Sequence, residues 1–277
     1  MSDKIIQLNY TERFIAFLDV IGFRYIVSES DKKIGKKQEV IKRVSEAILY
    51  SISEIEEILG SESNLIYTHF SDSFVISIPV NEKLHDAYKF SLLISTVVYE
   101  FLRSNIFLRG GITRGQLIHN DKLLFGPAMN RAYELESHVA KYPRIIIDPN
   151  LIETEPINML NPHEIYGYKE SNCLVPHVYL AKDDDGLLYI NYFEPDKAFF
   201  LKPGWLLAIQ ETIEAIPLTT ELHEKRSWLV KKYNEAILKF SYDEFKDRLG
   251  VKASDDSCVD KYYEELLGDA KQLHKII

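Results

Sequence analysis

Two aspartates occupy places in this chain where a carboxylate most needs a partner. Asp19 ends the apolar run Phe14-Ile15-Ala16-Phe17-Leu18 and is followed by Val20-Ile21-Gly22-Phe23 with its glycine turn. An ionised carboxylate buried alone is costly, so Asp19 is exposed, protonated, hydrogen-bonded or metal-bound. Asp72 has the same setting in Tyr67-Thr68-His69-Phe70-Ser71-Asp72-Ser73-Phe74-Val75, between two runs of β-forming residues. Two such acids can together form one divalent-metal site, and their hard oxygens favour Mg²⁺ or Mn²⁺. Singly, each has a plainer reading, Asp72 as a turn residue and Asp19 as a strand-end cap. Arg109, beside Gly110 and Gly111, is the third residue of interest: a guanidinium there reads a base or a phosphate, or it closes a buried salt bridge.

The elements that position these residues follow from hydrophobic periodicity. Residues 13–19 read as a central strand, and Ile41, Val44, Ile48, Ile52, Ile55 and Leu59 repeat at helical spacing over 36–59. Runs 64–70 and 73–80 predict a hairpin turning at Ser71-Asp72. A helix over about 83–103 ends before Asn105, and a strand follows at 106–113, whose paired glycines predict a bulge or a close approach. A further strand-like run ends near His119. The spacing then predicts a helix from Gly126-Pro127 to about Lys141, a strand at 144–148, and a hairpin of 177–181 with 187–193 around Asp183-Asp184-Asp185-Gly186. From Gly204 onward the pattern is helical, over 220–240 and near 259–275. The expected fold is α+β, with a mixed, mostly antiparallel sheet. Residues 10–200 form the main domain and 204–277 a helical C-terminal extension.

The bulk composition bounds the function. The chain has 277 residues, 46% of them apolar, which suffices for a packed core. A net charge of −9 disfavours nonspecific nucleic-acid binding, so an anionic substrate needs a metal or clustered arginines. No apolar window is long enough to span a membrane and the N-terminus lacks a signal-peptide pattern, so the expectation is a soluble cytoplasmic protein. Cys173 and Cys258 are far apart without CxxC spacing and read as ordinary thiols.

A β-α-β-β-α-β order with one acid closing the first strand and another in the following hairpin suits a ferredoxin-like core. Within that order, Phe17-Leu18-Asp19-Val20-Ile21-Gly22-Phe23 resembles the opening motif of class III nucleotidyl cyclases, Phe-x-Asp-Ile-x-Gly-Phe, and Phe70-Ser71-Asp72 resembles their Ile-Gly-Asp hairpin. Leu108-Arg109-Gly110-Gly111-Ile112-Thr113-Arg114-Gly115 is similar to their Arg-x-Gly-Ile-x-x-Gly segment. Gly126-Pro127-Ala128-Met129-Asn130 stands where the family has a Gly-x-x-Val-Asn helix. The motifs follow family order over roughly residues 13–150. Two positions depart from the purine cyclases: Thr68 replaces the purine-reading Lys or Glu, and Glu134 replaces the helix arginine that contacts phosphate. Ser71-Asp72-Ser73, the glycine pair, and Ala132-Tyr133 with Leu135-Glu136 leading to Tyr142-Pro143-Arg144 resemble instead the pyrimidine cyclases of Pycsar antiphage systems.

The resemblance implies cyclisation of UTP, or alternatively CTP, to the cyclic monophosphate and pyrophosphate, with two Mg²⁺ or Mn²⁺ ions held by Asp19, Asp72 and the carbonyl of Val20. It implies substrate binding by Phe17, Tyr67, Arg109 and Asn130, a homodimer with sites at its interface, and a separate cyclic-nucleotide-activated effector. Arg131, Arg114 and Arg144 are the candidates to replace the missing helix arginine. His69 is assigned a structural role. A non-catalytic module that binds a nucleotide or a partner is the alternative from another class.

Overall fold

The computed structural model describes residues 9–32, 34–59, 64–80, 87–154, 180–193, 203–243 and 257–277. Its first half runs β1 (Thr11–Val20), α1 (Phe23–Lys32), α2 (Ile34–Leu59), β2 (Ile66–Phe70), β3 (Ser73–Pro79), α3 (Ala87–Arg103) and β4 (Leu108–His119). Then come β5 (Leu124–Phe125), α4 (Pro127–Glu134) passing into a π-helical turn (Leu135–Val139), β6 (Ile145–Ile147), α5 (Pro149–Thr154), β7 (Leu180–Lys182) and β8 (Leu188–Ile190). The C-terminal part is helical: α6 (Pro203–Ala215), α7 (Thr220–Lys239) and α8 (Ser257–Gln272).

The strands lie in the order β2-β3-β1-β4-β6-β8-β7, with β5 against β4. The first four are antiparallel throughout, while β4 and β6 run parallel. This is the ferredoxin-like β-α-β-β-α-β order extended by one parallel strand and a hairpin, so the α+β expectation of a mixed, mostly antiparallel sheet holds.

Alternation along β1 divides the packing into two faces. Phe14, Ala16 and Leu18 pack in one cluster with Phe90, Ile94 and Phe101 of α3. Ile15 and Phe17 pack on the other face against Ala128 and Ala132 of α4. Asp19 continues this second set. Trp205, Leu206 and Ile209 of α6 and Trp228, Leu229 and Tyr233 of α7 belong to the larger cluster, so the C-terminal helices share the core of the sheet.

The glycine pair on β4 marks close approach within an unbroken strand. A Cβ on Gly110 would stand 2.4 Å from the Phe17 carbonyl oxygen, and one on Gly111 would stand 2.4 Å from the Leu135 Cβ. The strand also continues through to His119 as one element. Helix α1 was not foreseen: it starts directly after Gly22, whose φ of 73° makes the sharp turn out of β1. Asn105 ends α3 as expected, with φ 56°. Cys173 and residues 177–179 of the expected hairpin lie outside the described residues, and so does the beginning of the helix expected from 83.

Candidate functional site

The register of the sheet builds the site. Asp19 is directly opposite Arg109 on β4 and Ser73 on β3. Opposed residues share a face with Cβ atoms about 5 Å apart, within reach of a long side chain. Arg109 Nη2 accordingly donates to Asp19 Oδ2 at 3.3 Å. The same nitrogen donates to Glu136 on the π-helical turn, whose other carboxylate oxygen accepts from the Ser137 hydroxyl at 2.7 Å. Glu136 is the deeper acid, with a side chain 5% exposed against 20% for Asp19. The close approach of Leu135 to Gly111 sets the π turn against β4 and brings Glu136 to the guanidinium. Such turns concentrate at functional sites.

Backbone contacts bring in the second aspartate. The Val20 N–H donates to the Asp72 carbonyl at 2.9 Å, tying the β2–β3 turn to the end of β1. Ser71 makes this turn with φ 53°, and Ser73 then pairs with Asp19. Asp72 therefore lies within electrostatic range of Asp19. The Asp19 carboxyl is pushed up to about 6, first by burial, then by Glu136, with Arg109 opposing and Asp72 adding to the rise. The cluster is short of positive charge. Oxygen donors crowded in this way fit a divalent cation, which Asp19, Asp72 and the Val20 carbonyl would hold. Among the described residues no three His, Cys, Asp or Glu side chains are grouped for a metal, so such a site rests on two carboxylates and backbone.

The remaining sequence-derived residues fall in different places. Phe17 is buried two residues before Asp19 on the same face, and its ring meets Tyr133 of α4 edge-on at 5.6 Å. Asn130 is exposed on α4. Tyr67 pairs with Ile76, so it projects to the face opposite Asp19 and Arg109. There it lines a small cleft with Ile48, Phe74 and Phe101. Tyr67 and Arg109 thus do not meet within one chain. His69 bonds the Ser71 carbonyl at 2.9 Å and rests on Phe74.

The three arginines considered as phosphate ligands are all engaged elsewhere. Arg131 makes a two-pronged bond to Asp148, with both distances 2.9 Å, and a third to Glu134. Thr113 donates to the same Asp148 carboxylate, so this cluster fastens α4 to the sheet. Arg144 is fully buried and holds Asp183 and Asp185 of the β7–β8 turn. Arg114 bonds Glu12 at 2.8 Å and lies over the Phe14 ring.

Two residues of the site escaped sequence reasoning. Glu136 stands in the Leu135-Glu136 pair of the motif, which gives it no role, and it is buried on the π-helical turn beside Leu135. Lys225 on α7 is the other: its positive charge acts on Asp19 from the C-terminal helices. It falls on the stripe Leu222, Lys225, Leu229, Lys232 and Ala236, a helical spacing legible in the sequence.

No protein-family model matches the chain, and neither does any curated protein. Solved structures do resemble it. The guanylyl cyclase domain of the RhoGC fusion protein from Blastocladiella emersonii superposes with a TM-score of 0.42 at 13% identity, covering 66% of this chain and 96% of that one. The guanylate cyclase domain of RhGC from Catenaria anguillulae, in complex with GTP, gives 0.42 at 14% identity, covering 66% and 98%. The adenylyl cyclase CyaB from P. aeruginosa gives 0.40 at 16% identity, covering 52% and 80%. At these scores and identities the likeness assigns neither substrate nor site.

Proposed function

We propose that the chain is a nucleotidyl cyclase that converts UTP to cyclic UMP and pyrophosphate. The observation that carries the reading is the backbone bond from Val20 to Asp72, which sets both aspartates at one end of the sheet beside Arg109. In the reaction the ribose 3′-hydroxyl loses its proton to solvent as its oxygen bonds to the α-phosphorus, the bond from that phosphorus to the bridging oxygen breaks, and pyrophosphate leaves with the electron pair. Mg²⁺ or Mn²⁺ at Asp19, Asp72 and the Val20 carbonyl supplies, when bound, charge neutralisation for the triphosphate and a lower pKa for the 3′-hydroxyl.

The chain's own residues do the positioning. Glu136 holds Arg109 at the strand end, and Phe17 with Tyr133 forms an apolar wall beside the acids. The Arg109 guanidinium stands at this wall with its Nη2 held by Asp19 and Glu136. A guanidinium only donates, so it favours the O4 carbonyl of uracil over the amino group of cytosine; cyclic CMP is the second product to look for. Asn130, exposed on α4, faces outward and suits a site completed by a second copy. A homodimer with two equivalent sites follows from one such domain per chain. The product would act as a messenger in antiphage defence, read by a separate effector in the cytoplasm. No helix among the described residues is long and apolar enough to cross a membrane.

One feature favours a second reading, a non-catalytic domain that binds a nucleotide or a partner protein. Glu134 stands where the resemblance expects a cation, and it pairs with Arg131. Pyrophosphate release from UTP with Mn²⁺ separates the two readings. The wild-type chain should release it, and Asp72→Ala should lose about a hundredfold or more in rate with an unchanged melting temperature. Equal rates in the two proteins would remove Asp72 from the chemistry.

A further inference from the structure

Helix α7 carries a lysine toward the aspartate end of the sheet. The stripe Leu222, Leu229, Lys232 and Ala236 faces inward, each residue 9% exposed or less, and Lys225 lies on that stripe. The other lysine of the stripe, Lys232, is paired with the buried Asp183 at 2.9 Å, and Trp228 Nε1 donates to the same acid at 2.8 Å. These bonds and the Arg144 pairs lock α7 to the β7–β8 hairpin and fix where Lys225 is delivered.

The place of delivery is a cleft of about 310 Å³, at the small end of ligand sites. One wall is Ile21, Gly22 and Tyr25, directly after the Asp19 strand end. The opposite wall is the α6–α7 connection with Leu222 and Lys225. Two other charged residues line it. Arg43 is spent on the carbonyls of Ser104 and Asn105, and Glu39 is an acid. Lys225 lines this cleft and also stands in the field of Asp19.

We propose that Lys225 is a substrate-binding residue that takes the polyphosphate of the nucleotide, so that the C-terminal helices supply the cation absent at Glu134. This rests on the cyclase reading and extends it to a residue outside the β-α-β-β-α-β core. An ammonium on a four-carbon stem is a mobile point charge, suited to a phosphate chain that changes shape as pyrophosphate leaves.

The test is titration of the full chain with inorganic tripolyphosphate in the presence of Mn²⁺, using wild type, Lys225→Met, Lys225→Arg and Asp19→Ala. Met keeps the apolar stem and removes the charge. The expected result is binding by wild type, affinity weakened about tenfold or more in Lys225→Met, and recovery in Lys225→Arg, with melting temperatures unchanged. In turnover the same Met variant should raise KM more than it lowers kcat. Unchanged tripolyphosphate affinity in Lys225→Met, with binding lost in Asp19→Ala, overturns the role of Lys225 and leaves the cyclase reading standing. A fall in melting temperature with affinity unchanged makes Lys225 a structural counter-charge, which also overturns it. A wild-type chain that binds no tripolyphosphate defeats both.

Discussion

Asp19 and Arg109 face each other across β1 and β4 as directly paired residues, with Nη2 3.3 Å from Oδ2, while Glu136 grips the same nitrogen from the π-helical turn. One cation therefore serves two acids of unequal depth. The buried Glu136 fixes Arg109 from behind, and the shallower Asp19 keeps one side toward solvent.

The first prediction concerns Glu136. Removing Glu136 takes away the buried acceptor that holds Arg109 from behind and leaves the guanidinium to Asp19 alone, so Glu136→Ala should destabilise the fold by about 2 kcal/mol. Glu136→Gln keeps an acceptor for Arg109 and should lose less stability while still lowering turnover. Chemical denaturation and initial rates on the two variants check this; an Ala variant as stable as wild type contradicts it.

The second concerns the cost of Asp19. Its carboxyl is raised to about 6, so the fold disfavours the ionised form. That penalty is absent below pH 4, grows as pH rises toward 6 and is full above it. In metal-free protein at pH 8, Asp19→Asn should therefore raise stability by on the order of 2 kcal/mol while abolishing turnover. The stability gain should vanish near pH 4. A variant less stable than wild type at pH 8 contradicts the account.

A third follows from the packing that brings Glu136 into place. An Ala at Gly111 would drive its Cβ into Leu135, so Gly111→Ala should cost about 3 kcal/mol and disturb the π turn. The Leu135→Ala change in the same background should recover part of that loss. If Gly111→Ala alone melts like wild type, the π turn does not depend on this approach.

A fourth uses His119, buried on β4 between Ser77 at 2.8 Å and Thr68 at 2.9 Å. The Arg13 Nε donates to the same Ser77 oxygen at 2.8 Å, so Arg13, Ser77, His119 and Thr68 form one chain of hydrogen bonds. Burial, and then Arg13, push His119 down to about 4. The fold thus keeps it neutral, and stability should fall as pH drops from 6.5 to 4, by about 3 kcal/mol in total. His119→Gln should flatten this slope; an unchanged slope contradicts the assignment.

The strands around both aspartates were legible because each is a run of apolar or β-forming residues with a clear stop. Asp19 sits before a glycine turn, and Ser71-Asp72 is a polar pair between two β runs. Their meeting depends on the register of β1 with β3, which is a long-range property. Glu136 was harder to find because its burial depends on a π turn, which no 3.6-residue period predicts. Helix α1 was missed because its second half, Ser28-Glu29-Ser30-Asp31-Lys32, is wholly polar and leaves only the turn around Phe23, Ile26 and Val27 to show apolar spacing. Tyr67 shows the limit of motif transfer: its strand was foreseen, but the register turns its ring away from Arg109.

The most direct test of the central claim is the identity of the product. Purified protein incubated with Mn²⁺ and each of the four nucleoside triphosphates should yield cyclic UMP from UTP, with less cyclic CMP from CTP. Cyclic AMP or cyclic GMP as the sole product, or no cyclic nucleotide from any of the four, would contradict it.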